Sequence, residues 1–323
     1  MARADLPTRA PAPAPAGGEP GWELYRTFLA VLQEGSLSAA ARALGVTQPT
    51  IGRHVDALER IVGFALFTRS QRGFLPTDAA RAMRPYAESL AATAAALLRA
   101  ASGHGSADRA VRGTVRVTAS EIVGAEVLPP ILARLRESHP ALVIELVLSN
   151  RLEDLLQREA DIAVRMVRPV QEALVARRIG AIELGLHASR DYVARQGTPA
   201  GMQALAAHAL IGFDRETAFI RSFTRRMPAL RRSAFALRTD SDLAQLAAIR
   251  AGFGVGICQV GIARRDGNLV RILPRAFSLK LDTWLVMHED LRHSARCSVT
   301  FDALATGLQQ YIAGMSSESS ARR

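Results

Sequence analysis

The sequence predicts an α/β protein: a helical N-terminal module, a long connecting helix and a two-lobed α/β domain. Three observations carry this prediction. From Trp22 to Val62 apolar residues recur at spacings of three and four, the helical period. From Asp78 to about Ala101 an alanine-rich stretch keeps that period without a break. Beyond Gly113 strand-like runs alternate with helical ones, which is the pattern of βαβ units and of a largely parallel sheet.

The N-terminal module opens after "PAPAPAGGEP" (Pro11 to Pro20), which reads as a disordered, partly polyproline arm over residues 1–20. Trp22, Tyr25, Phe28, Leu29 and Leu32 mark one buried helix face, and Gly35 ends that helix. Ser38 is expected to cap the next helix, and Gly45 to close it in a left-handed turn. Thr47 is expected to cap a third helix, with Pro49 in its first turn and Ile51, Val55 and Leu58 facing inward. Gly63 to Thr77 reads as a two-stranded hairpin anchored by Phe64, Leu66 and Phe67. Asp78 is then expected to cap the long helix. Met83, Tyr86, Leu90, Thr93 and Leu97 lie along that helix as a coiled-coil-like seam. "SGHGSA" (Ser102 to Ala107) reads as a flexible linker.

In the second part "TVRVTAS", "LVIELVLS", "DIAVRM", "IELGLHAS" and "ALIGF" read as strands. "LPPILARLRESHP" and "LEDLLQRE" read as helices, with another helix after Ser189. The length suits two α/β lobes with crossing strands. A last helix, about Val299 to Ile312, is expected to pack back onto the first lobe. The expected domains are 21–77, the connecting helix 78–105 and the lobes 106–315, with a tail over 316–323.

Helix, glycine corner, helix is the helix-turn-helix arrangement, here Leu37 to Asp56. The second helix of such a pair enters the DNA major groove with its N-terminal residues toward base edges. With Ile51 and Val55 turned inward, Ser38, Thr47, Gln48, Pro49, Thr50, Arg53 and His54 are left on the exposed edge. Gln48 suits adenine, and Arg53 suits guanine or a phosphate. Arg69 and Arg72 in the hairpin would lie near the phosphate backbone, as a wing does. The net charge of +11 favours a polyanionic partner. It also has a bland explanation, because Lys280 is the only lysine and the arginine excess follows a skewed composition.

Phe28 to Ala80, "FLAVLQEGSLSAAARALGVTQPTIGRHVDALERIVGFALFTRSQRGFLPTDAA", resembles the winged helix-turn-helix of LysR-type transcriptional regulators. Both halves of that family's motif, the wing and the start of the linker helix are matched. Leu37, Thr47, Thr50 and Gly52 depart from it, and Gly52 lacks a hydroxyl that the family commonly places there. The resemblance implies an effector domain similar to periplasmic binding proteins from Gly113 onward. It implies a homodimer paired through the linker helix, assembled further into a homotetramer on double-stranded DNA. RNA polymerase is a candidate further partner. The alternative is a solute-binding protein without a regulatory role.

Open α/β sheets bind ligands beyond the carboxyl ends of their strands. Ser120, Ser149, Asn150 and Arg165 occupy such places in the first lobe, and Phe213 and Asp240 in the second. Hydroxyls, an amide, an arginine and an aromatic ring suit a small carboxylate with an apolar part. The same serines would serve equally well as helix caps.

Enzyme chemistry is not expected. "AGFGVG" (Ala251 to Gly256) lacks a phosphate-loop lysine and dinucleotide spacing, and its glycines suit a helix end. There is no G-x-S-x-G elbow. Cys258 lies in an apolar run, and the seven histidines show no metal-ligand spacing. No cofactor or metal is expected. No run approaches the roughly 20 apolar residues of a membrane helix, and the N-terminal arginines precede no apolar core of a secretory signal. Two distant cysteines suggest no disulfide framework, so a cytoplasmic protein is expected.

Overall fold

The computed structural model describes residues 19–70, 73–102, 111–150, 160–169 and 174–316. Most of the expected arm, Arg72, most of the Ser102–Ala107 linker, the helix expected from Leu152 to Glu159 and the tail from residue 317 lie outside these. The chain divides into two units, Met1–Ala95 and Ala96–Arg323.

The first unit packs α1 (Trp22–Glu34), α2 (Leu37–Leu44) and α3 (Gln48–Val62) around one core. Leu24, Phe28, Val31, Ala40, Ile51, Val55 and Leu58 fill it, closed by Leu66 and Phe67. Gly35 and Gly45 stop the first two helices in the left-handed region, at φ 69° and 67°, where a side chain would be strained. Two expected anchors stand outside the core: Trp22 is 39% and Phe64 46% exposed. Trp22 is the first helical residue, so no preceding turn covers it, and Leu24 takes the inward place. The cap of α2 is Ser36, not Ser38: its side chain accepts from Ala39 N at 3.1 Å.

Strands β1 (Phe67–Ser70) and β2 (Gly73–Pro76) pair antiparallel as the expected hairpin. Phe74 N donates to Gly35 O at 3.2 Å, which ties the hairpin to the first corner. Helix α4 (Asp78–Ala101) follows. Its cap is Thr77, whose hydroxyl accepts from Ala80 N at 3.2 Å, and Asp78 stands in the first turn. Met83 packs half-buried against the core, while Tyr86, Leu90, Thr93 and Leu97 are exposed.

The second unit contains β3 (Gly113–Ala119), α5 (Glu121–Glu126), α6 (Leu128–Ser138), β4 (Leu142–Leu148), β5 (Ile162–Arg165) and β6 (Leu174–Ser189). Then come α7 (Arg190–Gln196), β7 (Leu210–Gly212), α8 (Ala218–Arg226), β8 (Phe235–Arg238) and α9 (Asp242–Arg250). β9 (Gly256–Gln259), α10 (Val260–Arg265), β10 (Leu269–Ile272), β11 (Leu279–His288) and α11 (Ala295–Ser316) complete it. Six strands of one sheet run in the order β10-β6-β11-β5-β3-β4, and β9 also pairs with β6. Among the described residues of this sheet the parallel pairs are β3 with β4 and β3 with β5. The remaining pairs of this sheet are antiparallel, so it is mixed rather than largely parallel.

The reason is the length of β6. Its first part, Leu174 to Leu184, pairs with β11 in the first lobe. Its last residues pair with β9 and β10 in the second. Thus β6 and β11 are the expected crossing strands, and crossing strands return antiparallel. The parallel pair β7–β8 completes the second lobe. One apolar core, including Val117, Ile131, Val164 and Leu285, lies under the first lobe. A second, including Leu186, Tyr192, Leu210 and Phe235, lies under the other. α11 buries Leu304 and Leu308 in the first core beside Ile131 of α6, as expected.

Candidate functional site

On the first unit the polar edge of α3 lies outward. Thr47 has the backbone of a cap, but its side chain makes no cap bond. Its hydroxyl instead bonds Thr50 Oγ1 at 2.9 Å, and Arg53 Nη2 donates to that same oxygen at 3.3 Å. Ser38 Oγ donates to Gln48 Oε1 at 3.2 Å, across the corner between α2 and α3. So five of the expected residues form two small hydrogen-bonded groups beside exposed Pro49. Such bonds preset side chains that could otherwise wander, and they leave Arg53 N–H groups free to point outward. The Cβ position of Gly52 has nothing within 4 Å, so this part of the edge is open.

His54 is placed differently from its expected exposed position. It is half-buried, and its Nδ1 shares a 2.9 Å hydrogen bond with buried Thr27 of α1. Its first duty is to hold α3 on α1. Arg69 lies on β1, and its side chain, like Arg72, is outside the described part. Glu59 was missed by sequence reasoning. Its Oε1 accepts from Leu66 N at 2.6 Å and Phe67 N at 3.1 Å, fixing the start of the hairpin against α3.

In the second unit all six residues expected at strand ends line one cavity of about 520 Å³ between the lobes. The topology explains this. β4, β3 and β5 are adjacent and parallel, so Ser149 and Asn150, Ser120, and Arg165 emerge side by side. β7 and β8 are parallel too, and they deliver Phe213 and Asp240 from the facing lobe. The walls between are mostly apolar, including Ile122, Ile220, Phe223, Leu279 and Leu281.

Each charge in the cavity has a distinct setting. Arg165 is buried, with Nη1 donating to Val164 O and Nη2 to Thr118 Oγ1, both at 3.1 Å. Asp240 Oδ1 accepts from the backbone N–H groups of Asp214 and Arg215, at 3.1 and 2.9 Å. Its other oxygen meets Arg215 Nε at 3.2 Å, so this carboxylate is well compensated. Asp242 and Gln245, one helical turn apart on α9, also line the cavity and were not anticipated. An i, i+3 spacing after the capping Ser241 was the available signal. Burial, and then the negative charge of Glu121, push the Asp242 carboxyl up to about 6, against a hydrogen bond from Asn150.

The lobes also touch beside the cavity. Ser241 Oγ donates to Glu121 Oε2 at 2.9 Å. Arg250 donates from both Nη atoms to Glu126, at 2.7 and 3.0 Å. The hydrogen bonding from Arg250 holds the Glu126 carboxyl below its usual range, against partial burial. Cys258 lines the cavity wall, where burial pushes its thiol up to about 12 and makes it a poor nucleophile. Among the described residues no three His, Cys, Asp or Glu side chains group as a metal site. No helix of the described part is long and apolar enough to cross a membrane.

Residues 22–81 match the family described as bacterial regulatory helix-turn-helix protein, lysR family. Residues 108–309 match the LysR substrate binding domain. A probable HTH-type transcriptional regulator, LtrA of Klebsiella pneumoniae, is 26% identical over 295 residues, covering 89% of this chain and 94% of the relative. The crystal structure of CbnR, a LysR family transcriptional regulator, is similar with a TM-score of 0.64 at 19% identity, covering 90% of this chain and 99% of that one. CrgA from Neisseria meningitidis, also a LysR-type regulator, gives 0.54 at 22% identity, over 88% and 98%. These two likenesses speak for the fold. The match of residues 22–81 to a DNA-binding family counts against the alternative of a solute-binding protein without a regulatory role.

Proposed function

The chain belongs to the LysR family of DNA-binding transcriptional regulators, and from that premise we propose which of its residues do the work. Gln48 and Arg53 read base edges. Ser38, Thr47, Pro49 and Thr50 shape that edge, and the wing residues Arg69 and Arg72 contact phosphates. His54 supports the edge from behind. Two chains pair through the α4 seam of Tyr86, Leu90, Thr93 and Leu97, and pairs associate into a tetramer. Tyr86 at 74% and Leu97 at 70% exposure support this, because apolar side chains so open suit a partner helix.

A small effector occupies the cavity between the lobes, on Ser120, Ser149, Asn150, Arg165, Phe213 and Asp240. The observation that carries this reading is that residues scattered from 120 to 240 converge on one cavity at strand carboxyl ends. Effector binding changes lobe closure, and the change is passed to the DNA-binding pairs. The protein acts in the cytoplasm, performs no catalysis of its own and touches RNA polymerase at the promoter.

A gel-shift titration on the chain's own upstream DNA, at several salt concentrations, tests the first half. Affinity should fall with salt and still exceed that for unrelated duplex. Arg53→Ala should weaken binding by about 1–3 kcal/mol and relax the preference at one base position. Equal affinity for all duplexes would sink specific regulation. A thermal-shift screen of small molecules on the full chain tests the second half.

A further inference from the structure

Resting on the reading of the cavity as an effector site, we infer that its ligand is a small apolar molecule carrying an amino group, held by Asp242 and Ser120. The corner that receives the amino group is built from both lobes. Glu121 N donates to Asn150 Oδ1 at 3.3 Å. The Asn150 amide nitrogen is thereby left to donate to Asp242. Ser120 directly precedes Glu121, and Ser241 directly precedes Asp242. The Ser241–Glu121 hydrogen bond closes the ring. Ser120 and Asp242 therefore border the same end of the cavity.

The charges decide the ligand's sign. Asp240 already has Arg215 and two backbone N–H groups. Arg165 donates to two neutral acceptors, Val164 O and Thr118 Oγ1, and adds a positive charge to the cavity wall. Asp242 has a neutral donor in Asn150, a negative neighbour in Glu121, and no arginine or lysine in ion-pair contact among the described residues. A carboxylate placed there would add a third negative group. A cation would meet a cavity-lining carboxylate that has no counter-ion among the described residues.

Ser120 supplies the independent observation. Its Oγ is buried and has no hydrogen-bond partner, although its residue lines the cavity. Buried hydroxyls are nearly always satisfied, so an orphan at a cavity wall marks where a polar ligand group belongs, and beside the Asp242 carboxylate that group is a donor. An ammonium has three N–H donors and can serve the Asp242 carboxylate and Ser120 Oγ together. Burial and Glu121 disfavour the Asp242 carboxylate, and a bound cation would offset both. Ile220, Phe223, Ile257, Leu279 and Leu281 leave an apolar body for the rest of the molecule.

The test is a thermal-shift and calorimetric titration of the full chain at neutral pH. The probes are phenethylamine and hexylamine, set against hydrocinnamate and hexanoate. The expected result is that the amines raise Tm with dose and the carboxylates do not. Asp242→Asn should weaken amine binding by about tenfold or more, and Ser120→Ala by a smaller factor. Ser120→Ala removes only a partnerless hydroxyl, so it keeps the test alive if Asp242→Asn folds poorly. Stabilisation by the carboxylates alone would overturn the amine and leave the cavity as an effector site. Stabilisation by neither class, or amine binding untouched in both variants, would overturn the inference. Small molecules that bind yet never alter DNA affinity would instead count against the effector reading itself.

Discussion

Arg99 Nε donates to Asp161 Oδ2 at 3.1 Å, with both side chains buried, at 7% and 4% exposure. Arg99 stands in the last turn of α4, and Asp161 directly precedes β5, the strand that ends at Arg165 on the cavity wall. The same Asp161 oxygen accepts from Arg116 N at 2.9 Å, so one carboxylate ties the helix end to two neighbouring strands. Removing one partner of a buried ion pair costs up to about 3–5 kcal/mol. Asp161→Ala should lose that much in urea unfolding. Replacing both partners with apolar residues should recover most of it. Equal losses in the single and double variants would refute the pairing.

Gly52 is a cheap place to gain stability. It sits inside α3, and a Cβ there would meet nothing within 4 Å. Glycine in a helix interior costs about 0.5–1 kcal/mol relative to alanine, chiefly in backbone entropy. Gly52→Ala should therefore raise stability by that order in a thermal melt. Gly52→Ser should be tolerated as well, and it places a hydroxyl on the open side of α3. A drop in Tm for Gly52→Ala would mean that the open space is filled in solution.

Glu59 should matter more to the wing than its half-buried position suggests. One oxygen satisfies two backbone N–H groups, those of Leu66 and Phe67. Glu59→Ala leaves both without this partner, which costs about 1–3 kcal/mol. The loss should be local. Hydrogen exchange should quicken at Leu66 and Phe67 while the amides of α1 stay protected. Uniform quickening across the unit would point to general destabilisation instead.

Local signals made the helix ends and the cavity legible. Gly35 and Gly45 announce their turns, and Ser120 and Ser149 just past strand ends, with Arg165 at one, announce a cleft, because strand direction alone decides where they emerge. Non-local partners were not legible. The His54–Thr27 bond joins residues 27 apart, and nothing near His54 names that partner. Ser36 and Ser38 both flank Leu37, so composition could not say which one caps α2. The pairing of β6 with β11 depends on a strand long enough to cross both lobes, and alternation of strands and helices suggests parallel pairing by default. Asp242 needed the rotation of α9, which only packing fixes.

The pH profile of stability should contain two opposed contributions. Burial, with help from the Arg271 charge, depresses His187 to about 4 from its ordinary 6.5. The folded chain thus binds fewer protons there than the unfolded one. This contribution is present above pH 6.5 and is lost as pH falls toward 4. Glu126 and Glu183, both lowered, act in the same direction at lower pH. Asp242, raised to about 6 from 3.8, does the reverse: its contribution is present below 3.8 and is lost as pH rises through 6. At roughly 1.4 kcal/mol per unit, each shift is worth at most about 3–3.5 kcal/mol, so the two largely offset between pH 4 and 6. Asp242→Asn deletes one side of that balance. Its Tm should fall more steeply than that of the unsubstituted chain from pH 6 to 4, while above pH 7 it should lie higher. Parallel profiles for the two proteins would show that Asp242 titrates as an ordinary exposed carboxyl.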